Sequence, residues 1–408
     1  MFDFLHHKRS PVICPRPDHC ISRKNIDPDA LKVLYRLNSL GYKAYLVGGG
    51  VRDLLLGRIP KDFDVGTDAK PNEVKRAFRN CFLVGRRFRL AHVRFGQKVI
   101  ETATFRQNSQ TVGEIIEHAD EGPMEDNTFG TPETDAYRRD FTVNGLFYDI
   151  KTFAVIDYVG GFKDLKKKVI RSIGDPMIRF REDPVRMMRA IKFSARLDFD
   201  IERKTAKALC SLHAGILNAS KPRVCEEVFR LFSYGSAEKS FRMMWKCGML
   251  GDLLPDLADY ISRSGGLKSP EWKYLAMLDR YDGVMRERGV EVSNALRMAV
   301  LYAPLIRASR DRAERKEAAS ASRTILGGMV KTLGVPKAVY FSAVVLSDSE
   351  RRLMHSPQRG CHRFVRNRDF PDALDYNRIV ARVEGRDEKA LDEWADTYEK
   401  KPTDETKK

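Results

Sequence analysis

A short apolar run from Tyr42 to Val47 breaks into Gly48-Gly49-Gly50 and resumes at once as Val51-Arg52-Asp53-Leu54-Leu55-Leu56. Such a run predicts a buried strand, a tight turn and a helix over 51–56 that starts at the turn and is closed by Gly57. The first N–H groups of a helix have no partner within it and stand at the positive end of its dipole, so this turn suits an anion such as a triphosphate. A glycine turn alone is weak evidence, because many turns contain glycine. The stretch Lys61-Asp62-Phe63-Asp64-Val65 follows, with Asp62 12 residues beyond Gly50. If 62–65 is a strand, Asp62 and Asp64 lie on one face, because alternate residues do. Two carboxylates beside bound phosphates can hold divalent ions, and Mg²⁺ favours carboxylate plus phosphate oxygen over an all-protein cage. Such ions activate a 3′-hydroxyl and stabilise leaving pyrophosphate.

Two further clusters carry chemistry. In Tyr137-Arg138-Arg139-Asp140-Phe141-Thr142-Val143-Asn144, arginine forks match phosphate oxygens, and Asp140 is a candidate third acid or ribose contact. A surface salt-bridge cluster accounts for the same residues. In Arg181-Glu182-Asp183-Pro184-Val185-Arg186, Asp183 suits a helix cap and Pro184 a first helical position. Arg186 lies one turn along on the same side, so base recognition and simple capping both remain open. Glu101 stands in a predicted strand over 98–105 whose face otherwise carries Val99, Ala103 and Phe105. Pairing with a nearby arginine is the favoured reading there.

The chain has 408 residues, more than one compact core, and carries 73 Lys and Arg against 56 Asp and Glu, a formal charge of +17. That surplus points to a polyanionic partner, with nucleic acid first. No apolar run of membrane-spanning length and no secretory leader are evident. Seven scattered cysteines suit a reducing, cytoplasmic setting. Cys14 and Cys20 bracket His19 but lack a fourth zinc ligand.

Residues 1–26 read as an arm. Asp27-Pro28 opens a helix that Gly41 ends. The region 27–150 mixes short strands and helices, an α+β head. Beyond Asp175 the pattern is helical, with segments expected over 184–196, 205–217, 222–233, 238–246 and 272–287. A charged tail is expected over 386–408. The dense charge of 307–323 reads as a solvated helix face or loop, with RNA contact as the alternative.

The motifs together are similar to those of class II nucleotidyltransferases of the polymerase-beta superfamily, which comprises bacterial poly(A) polymerases and CCA-adding enzymes. Gly48-Gly49 with Arg52-Asp53, Asp62/Asp64, Arg138-Arg139-Asp140 and Glu182-Asp183-x-x-Arg186 occur in family order. The stretches Pro15 to Leu37, Leu83 to Val93 (with Arg86, Arg87 and Arg89) and Asp126 to Thr131, and more loosely Pro357 to Tyr376, resemble the poly(A) polymerase branch.

The resemblance implies a polymerase-beta-like head followed by an all-helical neck and body, the neck over 151–235 and the body, which binds RNA, over 236–385. It implies template-independent addition of AMP from ATP to RNA 3′ ends, with CCA addition to tRNA as the alternative. Asp62 and Asp64 would bind Mg²⁺ or Mn²⁺, and Asp140 would join them as a third catalytic carboxylate or contact the ribose. Gly48, Gly49, Arg52, Asp53 and Arg139 would hold the nucleotide, with Asp183 and Arg186 at its base. Arg86, Arg87 and Arg89 around Phe88 would support a stacked RNA end. RNA-decay or RNA-chaperone proteins are candidate partners.

Overall fold

The computed structural model describes residues 10–85, 89–107, 129–312, 314–358 and 361–399. The chain divides into two units, Met1–Arg179 with Asp200–Thr205, and Phe180–Phe199 with Ala206–Lys408.

The first unit is built on an eight-stranded sheet of β1 (Val12–Cys14), β2 (Ala44–Val47), β3 (Asp64–Thr67), β4 (Cys81–Val84), β5 (Leu90–Phe95), β6 (Lys98–Thr104), β7 (Leu146–Asp149) and β8 (Ala154–Asp157). Their order is β1-β8-β7-β2-β3-β6-β5-β4; β3 and β6 run parallel and every other neighbouring pair antiparallel. Two short strands, β9 (Val169–Ile170) and β10 (Asp200–Ile201), pair separately. The helices of this unit include α1 (Pro28–Ser39), α2 (Gly49–Leu55), α3 (Pro71–Ala77), α4 (Pro132–Arg138) and α5 (Gly161–Lys167), and α6 (Pro176–Glu182) begins in it. Helix α1 starts where its cap predicts: Asp27 Oδ1 accepts from the Asp29 N–H at 2.8 Å and from Ala30 at 3.4 Å.

Strand alternation sorts the sheet into two faces. One turns Ala44, Leu46, Val65, Ala91, Val93, Ile100, Tyr148 and Val155 onto the apolar stripe of α1 (Ala30, Val33, Leu34, Leu37) and onto Val51, Leu54 and Val74. The other carries a smaller cluster of Val47, Phe105 and Phe147, with Tyr45, Ile156 and Tyr158 packed against it. Farther along that second face stand Asp64, Glu101, His92 and Phe82.

Three expectations shift. Residues 12–14 are not an arm but the sheet's edge strand, with Val12 opposite Asp157; short strands at an edge carry little periodic signal. The sheet also passes the expected boundary near 150, because β7 turns back as β8 through Phe153 at φ +55. Finally, β3 begins at Asp64, so Asp62 precedes the strand rather than lying in it.

The second unit is helical. Helix α7 (Val185–Leu197) buries the expected stripe of Met187, Ala190, Ile191 and Ser194. The helix Asn294–Arg312 is buried from Ala295 to Pro304 and packs against Glu271–Glu287, Arg315–Leu333, Lys337–Asp348 and Phe370–Glu384. Part of the dense charge beyond residue 306 is tied into this body rather than solvated. Arg307 pairs with Glu350 and, at 2.9 Å, with Glu384, and Arg310 pairs with Asp348 at 2.6 Å. No helix among the described residues is long and apolar enough to cross a membrane.

Candidate active site

The glycine turn lies between β2 and α2. Gly48 has φ +71 and ψ −135, a backbone that glycine adopts without steric cost, and α2 begins at the next residue. The turn is tied to β7 by Gly48 N–H donating to Leu146 O at 3.3 Å. It also touches the acidic loop: a Cβ on Gly50 would stand 3.4 Å from the Asp62 carbonyl oxygen. Thus two motifs separated in sequence meet in space.

Arg52 and Asp53 are turned inward, at 2 % and 4 % exposure. Arg52 donates through Nε to Asp53 Oδ1 at 2.8 Å and through Nη1 to Asn144 Oδ1 at 2.6 Å. Asn144 in turn donates to Asp140 Oδ1 at 3.0 Å, and the same oxygen accepts from the Phe141 N–H at 2.8 Å. This chain of bonds braces α2 against the Arg-Arg-Asp segment. Sequence reasoning assigned Asn144 no role, and nothing local marks it, because Arg52 lies 92 residues away.

Asp64 faces the open side of the sheet beside Glu101, and Asp62 is exposed on the loop before it. The pairing of Val65 with Thr102 sets Asp64 and Glu101 one residue back on adjacent parallel strands. Burial, then the Glu101 carboxylate, push the Asp64 carboxyl up to about 6; Asp62 adds to this and Arg139 opposes it. Glu101 therefore stands beside Asp64; Asp140, expected as a third acid or a ribose contact, accepts from Asn144 and the Phe141 N–H. Asp140 is bonded into the brace, and Glu101 reaches the site through the register of β3 and β6. The available signal was an acid on an otherwise apolar strand face. Among the described residues, His92 Nε2 lies 3.9 Å from the Glu101 carboxylate across the sheet, where an arginine was expected.

Arg139 is held by two bonds to Asp135, Nε at 3.1 Å and Nη2 at 2.9 Å, and its guanidinium lies 5.3 Å over the Phe147 ring. Asp135 also binds Arg138 at 2.9 Å. Its position three and four residues before the two arginines made it findable as a helical pair. Arg139 thus stands as a fixed cation between the glycine turn and the aromatic cluster.

In the second unit, Pro184 rather than Asp183 takes the N-cap position of α7, and Asp183 Oδ1 accepts from the N–H of Val185, the first helical residue, at 3.3 Å. Its other oxygen is bound by Arg223 at 2.9 Å, with Arg186 Nε at 4.0 Å. Arg86 and Arg87 lie outside the described residues; Arg89 is exposed just before β5. His19 is structural. Its ring nitrogens meet Phe153 O at 2.9 Å and the Ile21 N–H at 3.2 Å.

Among the described residues, no group of three or more His, Cys, Asp or Glu is arranged to hold a metal ion by itself. An acid set open toward the phosphate-binding turn still fits a hard cation that takes its remaining oxygens from phosphate. The burial and the neighbouring Glu101 carboxylate that raise Asp64 are what such a cation would offset.

The Poly A polymerase head domain model matches residues 44–171, and the model described as "Probable RNA and SrmB- binding site of polymerase A" matches 198–261. The chain is 39% identical over 396 residues to Poly(A) polymerase I of Salmonella typhimurium, across 94% of this chain and 84% of that protein. The chain belongs to the bacterial poly(A) polymerase family. Poly(A) polymerase I of Escherichia coli is 38% identical over 91% of this chain and 82% of its own length. Similarity to the sister branch is shorter: the CCA-adding enzyme of Lactobacillus helveticus is 36% identical over 56% of this chain and 55% of its own. The nucleotidyltransferase fold is shared with the crystal structure of the Bacillus stearothermophilus CCA-adding enzyme in complex with CTP, at TM-score 0.65 and 24% identity, covering 92% of this chain and 82% of that one.

Proposed function

We propose that this chain, a polynucleotide adenylyltransferase by family, transfers AMP from ATP to RNA 3′ ends on the open face of the first unit's sheet. The observation that carries the reading is Asp64, half-buried beside Glu101 and Asp62, within reach of Arg139's field. Asp62 and Asp64, with Glu101 adjoining, would hold Mg²⁺ or Mn²⁺, which when bound neutralises phosphate charge and activates a hydroxyl. Gly48 and Gly49 bring backbone close to the triphosphate, and Arg139 supplies a positioned cation. Arg52, Asp53, Asn144 and Asp140 keep the turn and the arginine segment in register. The RNA 3′-oxygen bonds to the α-phosphorus, the α–β phosphoanhydride breaks, and pyrophosphate leaves. Catalysis rests on positioning and charge neutralisation.

Asp183 and Arg186 are proposed to read the adenine edge, with Arg223 holding Asp183. The surplus of basic residues supports RNA as partner, and seven free cysteines fit a reducing cytoplasm. Supplying ATP alone and CTP alone, with a plain RNA and with a tRNA lacking its terminal CCA, tests the reading. Long A-tails on plain RNA are expected. Addition of two C residues and one A, restricted to the truncated tRNA, overturns it in favour of CCA addition.

A further inference from the structure

The face that carries Asp64 does not end at the acids. Across β6, β5 and β4, antiparallel pairing sets Glu101 opposite His92, and His92 opposite Phe82. One row therefore runs Asp64, Glu101, His92, Phe82. Beside it Val84 is paired with Leu90, and Arg94 with Val99. The strands' other face is buried: Cys81, Ala91, Val93 and Ile100 belong to the core. On the open face, by contrast, Phe82 is 58 % exposed, Val84 48 % and Val99 41 %. Together these three exposed apolar side chains on one face mark a candidate interaction surface.

We infer that this row is a stacking platform for the single-stranded 3′ end of the RNA substrate, with Phe82 as its anchor and His92 between the anchor and the acids. The inference rests on the proposed reaction at Asp64. Three features favour RNA as occupant. The row is continuous with the acids toward which the 3′-hydroxyl must be brought. Phe82 lies three strand spacings from Asp64, about 14 Å, which suits the bases of the last few nucleotides rather than the reacting one. The flanking exposed charges, Arg89 and Arg94, are cationic, in a chain of net charge +17, and match a phosphate backbone. Stacking on an aromatic face tolerates any base, which a tailing enzyme needs for RNA of varied ends.

The test uses the full chain and a 3′-terminal oligonucleotide in two forms, one intact and one abasic at the two positions before the last. Phe82→Ala and Phe82→Trp are compared with the wild type, and folding is checked by melting temperature. Expected for Phe82→Ala is a rise of about tenfold in KM for the intact RNA, with KM for ATP within twofold, and recovery in Phe82→Trp. The abasic oligonucleotide should bind the wild type about tenfold more weakly than the intact one and should bind Phe82→Ala nearly as well as the intact one does. Equal abasic penalties in the wild type and Phe82→Ala, or an unchanged RNA KM in a folded Phe82→Ala, overturn the platform. A wild type that does not tail RNA overturns the underlying reaction instead, which separates the two failures.

Discussion

Arg139 Nη1 lies where a side chain on Gly48 would have to begin: a Cβ built on Gly48 would stand 2.9 Å from that nitrogen. The φ of +71 favours glycine, and a side chain there would also displace the guanidinium that Asp135 holds. Gly48→Ala is expected to cost about 1–3 kcal/mol of stability from backbone strain. It should also lower kcat/KM for ATP at least about tenfold, because Arg139 must move. Steady-state kinetics with a denaturant melt check both; wild-type kinetics in a folded Gly48→Ala protein would remove Arg139 and the turn from the nucleotide site.

In the proposed reaction Asp64 and Glu101 adjoin the metal, whereas Asp140 holds the brace. Asp64→Asn and Glu101→Gln should each lower kcat by about a hundredfold or more, equivalent to ~2.7 kcal/mol of barrier, with melting temperature held or raised, since each relieves carboxylate crowding. Asp140→Ala should instead lower the melting temperature, because the Asn144 side chain and the Phe141 N–H lose their acceptor. A Glu101→Gln protein as active as the wild type would return the third-acid role to Asp140.

Glu271, at the start of the helix Glu271–Glu287, is fully buried, and neither carboxylate oxygen has a hydrogen-bond partner among the described residues. Burial raises its carboxyl well above the ordinary 4.5. The folded state then binds more protons than the unfolded state. The group's contribution to stability is full below the unfolded value and is lost as pH rises toward the folded one. Glu271→Gln should therefore raise the melting temperature more at pH 8 than at pH 4.5. A shift independent of pH would mean that this carboxyl keeps its ordinary titration.

RNA affinity should fall with salt in proportion to the phosphates neutralised, about −0.7 in the log–log slope for each on a single strand. A slope steeper than about −2 is expected from the +17 charge. Binding titrations with one oligonucleotide at several salt concentrations give it directly. A slope near zero would leave the basic surplus as a property of the surface alone.

Much was legible locally. The cap at Asp27, the glycine turn, the strand face of Glu101 and Phe105, and the buried stripe of α7 follow from short-range rules: φ preference, side-chain period and helix capping. The sequence by itself also determined which motifs exist and their order, since four short patterns in series need no coordinates. What only the tertiary structure decided is which residues meet. Asp62 precedes its strand, Arg52 turns inward to Asn144, and Glu101 stands beside Asp64 while Asp140 binds Asn144. These depend on sheet register and on contacts across tens of residues. A one-residue slip in a strand reverses every side chain, and pattern along a single strand carries no information about which neighbour it will pair with.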